Sequence, residues 1–267
     1  MHTRRAQNRR GFVFLYVLAV VVVGTITIGA TIDASLFKAR VAERRVQSYR
    51  TQHEALSVRD MIRLWLMQQN QANQRRPPSE NPMLILSRTP GATQRFTLDS
   101  GVVVNVSVED AQGTLLARLD ESLAIDDYEW LYGALSRLPQ NRVDLIRRHG
   151  PVEVSLRSAP DEVLGVIAEG DADLASALIE ARDSRVTDPS SFSRLLASSG
   201  IGTETAQRML RRIAITPTLW EMDIEVIDPN ADAIRRYTMI VEQTSTFPVV
   251  HRWGPDTDGE FGLESSR

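Results

Sequence analysis

The chain has 267 residues and 42% apolar content, enough for one large or two modest globular units once a membrane segment is set aside. With 31 Lys+Arg against 34 Asp+Glu its net charge is -3, so no global basic field draws it to nucleic acid or anionic lipid, and any basic patch must be local. The absence of cysteine excludes disulfides, thiolate nucleophiles and cysteine-type zinc sites. Near the N-terminus, Arg4, Arg5, Arg9 and Arg10 precede Gly11, with no acidic residue among them. Phe12 to Ile32 then runs for 21 residues without a charge. At ~1.5 Å rise per residue such a helix crosses a hydrocarbon core of roughly 30 Å. The positive-inside rule predicts a cytoplasmic N-terminus and an outward remainder. A secretory signal would have an apolar region of about 7–15 residues and a small-x-small cleavage site, for which Gly29-Ala30-Thr31 is a weak match.

No proline or glycine interrupts the chain from Asp33 through Trp65, which predicts one helix continuing from lipid into water. Leu36, Val41, Val46, Tyr49, Leu56, Met61, Ile62, Trp65 and Leu66 recur at helical steps. They form a stripe that would serve a coiled-coil stem or a spine packed on a globular domain. The polar tract from Gln68 and the prolines at 77 and 78 end the helix.

An arginine-rich leader, a glycine, and a phenylalanine opening a transmembrane helix that becomes an amphipathic stem resemble a type IV prepilin or pseudopilin. The resemblance implies that a prepilin peptidase cuts between Gly11 and Phe12 and that the new amine of Phe12 is methylated. Most members have glutamate as the fifth mature residue; here it is Tyr16. In lacking that acid the chain is similar to the K-type minor pseudopilins of type II secretion. A buried glutamate costs several kcal/mol unless paired, and its partner in such fibres is the amine of the subunit above. Tyr16 therefore fits a fibre tip, although a plain membrane helix satisfies the same observation.

Further on, Arg95–Gly101, Val102–Val108 and Thr114–Leu119 read as strands of a small antiparallel sheet, with a turn at Glu109–Gly113. Trp220–Ile227 and Ile234–Glu242 form a second β set around the turn Asp228–Asp232, with Met222, Ile224 and Val226 alternating against Asp223 and Glu225. Between the two sets a helical block is predicted, with Ser158 as the cap of a helix opened by Pro160. Its tail has the form of a helix-hairpin-helix around Gly200, Ile201 and Gly202. The expected class is α+β: a long transmembrane and amphipathic helix packed on a small sheet, with an inserted all-α domain of helix-hairpin-helix or SAM-like type. The divisions are leader 1–11, transmembrane helix 12–33, stem 34–76, first part of the sheet 77–125, helical insert 126–213, second part 214–245 and flexible tail 246–267.

Two functions fit the block. In DNA-binding hairpins the turn's N–H groups and the next helix N-terminus hold a phosphate, and Arg208 and Arg211 would sit beside it, as in a membrane-anchored receptor of competence type. Against this, Glu204 stands where phosphate binders have a cation, and the segment Ala168–Asp173 is acidic. K-type pseudopilins are similar in carrying such a helical insertion after a segment like Val154–Leu164. The resemblance implies a subunit at the tip of a type II secretion pseudopilus that helps initiate its assembly and so the export of folded proteins. Its partners would be the I- and J-type minor pseudopilins, with the prepilin peptidase as processing enzyme, in the inner membrane with the C-terminal domain periplasmic. Nucleic acid and small-molecule substrates are not expected. The family's calcium-linked acidic segments are not found; Asp126–Trp130 is the nearest and lacks the spacing, and no cofactor is expected. His2, His53, His149 and His251 share no metal spacing, and no catalytic motif occurs, so no enzyme is expected. The terminal Asp256–Glu260 resembles half a calcium loop in a polar tail.

Overall fold

The computed structural model describes residues 4–73, 80–117, 124–139, 141–229, 233–244 and 246–256. The protein is α+β, with a long apolar N-terminal helix, a five-stranded antiparallel sheet and further helices. It divides into two compact units after Asp60.

The first unit is helical. Helix α1 (Arg4–Asn73) begins here and is unbroken, as predicted from Asp33 through Trp65, and it also runs through Gly24 and Gly29. All residues from Val13 to Ile32 except Gly24 are exposed, and the hydroxyls of Thr25, Thr27 and Thr31 donate to the carbonyls of Val21, Val23 and Thr27, each at 2.8 Å. The helix thereby satisfies its own polar groups, which hydrocarbon requires. The expected apolar stripe is only partly used: Leu36, Val46 and Tyr49 are exposed.

The second unit takes the last turns of α1, where Ile62, Trp65 and Leu66 are buried. Trp65 meets Phe96 edge-on, their ring centres 5.6 Å apart. Asn70 donates to the Thr244 carbonyl at 3.0 Å and also bonds Gln243. Helix α2 (Pro82–Arg88) starts where the Asn81 side chain accepts from Met83 N–H and Pro82 supplies a preset φ. The sheet follows. Strands β1 (Gln94–Thr97) and β2 (Val103–Asp110) are joined by a turn whose Gly101 has φ +83°. Strand β3 (Leu115–Leu116) departs from expectation, because it leaves the main sheet and pairs in parallel with β4 (Ile146–Arg147).

The block between the two β sets opens with α3 (Ile125–Arg137) and continues through a 3-10 turn at Val143–Leu145 and strand β5 (Val154–Ser155). Helices α4 (Asp161–Ile167), α5 (Ala172–Asp183), α6 (Pro189–Ser198) and α7 (Thr203–Arg212) complete it. Asp171 caps α5, and Asp188 with Pro189 opens α6. Ser158 is not a cap: α4 starts after Pro160, with no side-chain cap bond. Leu174, Ala177, Leu178 and Ala181 of α5 meet Phe192 and Leu196 of α6 and Ala206 and Met209 of α7 in one apolar core. Each large side chain in it contributes about 1.5–3 kcal/mol. Strand β6 (Ile213–Ala214) pairs in parallel with β5 and closes the block.

The chain then returns to the sheet as β7 (Leu219–Asp228), β8 (Ala233–Gln243) and β9 (Pro248–Pro255), giving the order β1-β2-β7-β8-β9. Val104, Val106 and Val108 lie buried beside Met222, Ile224 and Val226, then Tyr237, Met239 and Val241. The predicted alternation of β7 therefore holds. The expected turn after Asp228 falls partly outside the described residues, at 230–232. Strand β9 corrects the flexible tail expected from residue 246: it is an edge strand whose pairing with β8 shifts register between Ile240 and Val241. Prolines at its ends interrupt no inner ladder, which is why an edge tolerates them. Residues 257–260 of the half calcium loop lie outside the described residues.

Candidate functional site

Gly11 and Phe12 lie in the helical backbone of α1, and their side chains are outside the described residues. Tyr16 is 66% exposed among exposed valines and leucines. The helix is long and apolar enough to cross a membrane, and it fits a single membrane anchor.

Gly200, Ile201 and Gly202 lie between helices α6 and α7. Helix α6 ends at Ser198, Gly200 turns the chain at φ +83°, the Ile201 N–H bonds the Leu196 carbonyl at 3.0 Å, and Gly202 starts α7. The charges around it are mixed. Glu204 occupies the first turn of α7, while Arg212 pairs with Glu169 at 2.5 Å and lies 5.1 Å over the Trp130 ring. Arg208 and Arg211 line a cavity of about 620 Å³ together with Asp126, Asp127 and Glu129. Those carboxylates are the nearest match to the calcium-linked segment and stand beside arginines. Charges of both signs thus alternate around one cleft. Among the described residues no group of three or more acidic or histidine side chains is placed to hold a metal ion. His149 and His251 stack at 5.3 Å, and His251 contacts Glu242 at 2.9 Å.

Sequence reading missed the polar junction where the block meets the sheet. Gln112 is buried; its amide donates to the Glu153 carbonyl at 2.9 Å and its oxygen accepts from Thr218 N–H at 2.8 Å. Arg147, buried as well, donates to the carbonyls of Thr114 at 3.0 Å, Glu153 at 2.9 Å and Pro151. Burial pushes its guanidinium down to about 10. The Asp110 carboxylate accepts from Ser155 at 2.6 Å and from Gln112 N–H at 2.9 Å. Only the position of Gln112 in the Glu109–Gly113 turn hinted at this, since its partners are far away in sequence.

Burial raises the Asp110 pKa above the usual 3.8, outweighing the hydrogen bonds that lower it. A carboxyl whose folded pKa is raised contributes stability that is complete below the unfolded value and lost as pH rises through the folded one. Asp110→Asn keeps the acceptor for Gln112 and removes the ionisation. The stability difference, variant minus wild type, should therefore become more favourable to the variant as pH is raised from 4 to 7. Urea titrations at several pH values check this; a difference that stays flat would show that Asp110 ionises without cost.

No family model matches the sequence, and no curated protein matches it. Among solved structures, a chain in the crystal structure of the GspK-GspI-GspJ complex from the enterotoxigenic Escherichia coli Type 2 Secretion System is similar in shape. It has 10% sequence identity and a TM-score of 0.45, covering 79% of this chain and 99% of that one. A likeness of that degree assigns neither family nor function.

Proposed function

We propose that the chain is a minor pseudopilin of a type II secretion system, at the tip of the pseudopilus, where it helps initiate assembly and so the export of folded proteins. The supporting observation is the order of parts. A basic leader and Gly11 precede 21 uncharged residues, and the same helix α1 continues without a break into a unit built on an antiparallel sheet. On this reading the prepilin peptidase removes residues 1–11, Phe12 is methylated, and the second unit is periplasmic and docks I- and J-type minor pseudopilins. The chain acts through protein contacts rather than catalysis. The mixed charge around Arg208 and Arg211 counts against the DNA-receptor alternative.

Intact mass and N-terminal sequencing of the protein from the cell envelope test the reading. The expected product starts at Phe12 and carries one added methyl group. Retention of Met1, or a start near Asp33, would exclude a pseudopilin.

Tyr16→Glu tests the tip position separately. An acid there faces no incoming amine, at a cost of ~2.5–3.5 kcal/mol at a helix centre and less near the interface. The yield of crosslinked minor-pseudopilin complex should fall or stay level with protein amounts matched. A clear gain would place the subunit in the shaft.

A further inference from the structure

Four arginines from distant parts of the sequence converge on one cleft of about 480 Å³ in the second unit. Arg88 ends α2, Arg157 follows β5, and Arg182 and Arg185 lie at the C-terminal end of α5. Arg182 is already neutralised, by Asp161 at 2.6 Å and Asp183 at 3.0 Å. Among the described residues, Arg88, Arg157 and Arg185 form no salt bridge. Their charges meet at Arg157, whose pKa is lowered first by burial and then by the charge of Arg88, while Asp110 pulls the other way and Arg185 adds a lesser push downward. Arg185 also sits at φ +53°, a left-handed position that follows a helix end and is usually given to glycine. The chain thus holds a cation there against both backbone preference and charge repulsion. The floor of the cleft is apolar, made by Leu156, Ala181, Val186 and Ile215.

We propose that this cleft docks an acidic peptide segment of a partner protein, with carboxylates forked by Arg88, Arg157 and Arg185 and an apolar side chain on the floor. Planar guanidiniums pair carboxylates through two parallel hydrogen bonds, and such pairs are stronger than neutral ones. A free oxyanion would use the rim alone and leave the floor unfilled; a segment mixing acidic and apolar side chains uses both. Charge complementarity identifies the occupant, and the assignment does not depend on the pseudopilin reading.

The test is fluorescence anisotropy with the full chain in detergent micelles and a short fluorescein-labelled peptide of alternating glutamate and leucine. The expected results are binding that weakens as salt rises, no binding of the glutamine-for-glutamate peptide, and affinity at least about tenfold lower for Arg88→Ala with Arg185→Gly. Arg185→Gly relieves the left-handed backbone while removing the guanidinium, so its loss of binding does not reflect failed folding. The proposal is overturned if the glutamate peptide does not bind, if the glutamine peptide binds equally, or if the arginine variants bind like wild type. Displacement of the peptide by inorganic phosphate at equal concentration would likewise overturn it and assign the rim to a free oxyanion.

Discussion

Gly113→Ala is expected to lower the thermal unfolding midpoint by roughly 6–12 °C, the shift that about 3 kcal/mol produces in a unit of this size. A Cβ at this position would stand 2.5 Å from the Ser158 carbonyl oxygen and 2.6 Å from its carbonyl carbon and hydroxyl. Relief requires the turn and the loop to separate, and three bonds resist that. Gln112 is tied to Glu153 by its side chain and to Ser155 by its carbonyl, each at 2.9 Å, and Asp110 holds the Ser155 hydroxyl at 2.6 Å. Gly165→Ala is the matched control, because its Cβ meets nothing within 4 Å inside helix α4. There alanine should be neutral or stabilising by about 0.5–1 kcal/mol. Melts of the two variants in detergent, followed by circular dichroism, compare them directly. Equal midpoints would show that the junction at Gly113 yields freely.

Trp220→Ala should cost about 3–5 kcal/mol, the range for emptying a fully buried large aromatic site. Trp220 is completely buried on β7, beside Val241 of β8 and Asp110 of β2. The loss is not only a cavity. The indole N–H donates to the Gln243 side chain at 3.3 Å, Gln243 bonds Asn70, and Asn70 in turn holds the Thr244 carbonyl at 3.0 Å. Removing the indole deprives the chain of polar groups joining α1 to the sheet of its first donor. Trp220→Phe keeps much of the buried area but not that donor, so it should fall between wild type and alanine. The midpoint of urea unfolding orders the three proteins; phenylalanine as damaging as alanine would place most of the effect in the hydrogen bond.

What could be read from the sequence depended on how local the signal was. In β7, Met222, Ile224 and Val226 alternate with charged residues because only one face is buried, and a period of two survives any tertiary context. Helix α1 was equally plain from Asp33 to Trp65, where no proline or glycine interrupts it. The stripe of Leu36, Val46 and Tyr49 had the right period, yet periodicity shows only that a face could be covered. Strand β9 was hidden by Pro248, Gly254 and Pro255, which punctuate a loop as readily as they bound an edge strand. Gln112 offered only its place in a turn, and Arg147 and the arginines of the cleft carried no signal at all. What makes them matter is the company they keep after folding, and neighbours at 88, 157 and 185 share no spacing that a pattern could detect.

The placement of the block inside the sheet also dictates an order of events in time. Ser107 and Asp223 are joined by a hydrogen bond across 116 residues of chain, and β2 and β7 must find their register over that gap. The β1–β2 hairpin and the β7–β8–β9 meander need only local closures, which form early. Joining them directly would require closing a long loop before any contact rewards it. Once the block has folded, however, β5 and β6 are paired, and Gln112 holds Thr218 and Leu219, where β7 begins. The last residues of β2 and the first of β7 are then already side by side, and the sheet can zip from that end outward. Unfolding the block while keeping its length would therefore slow the assembly of a sheet to which it contributes no strand.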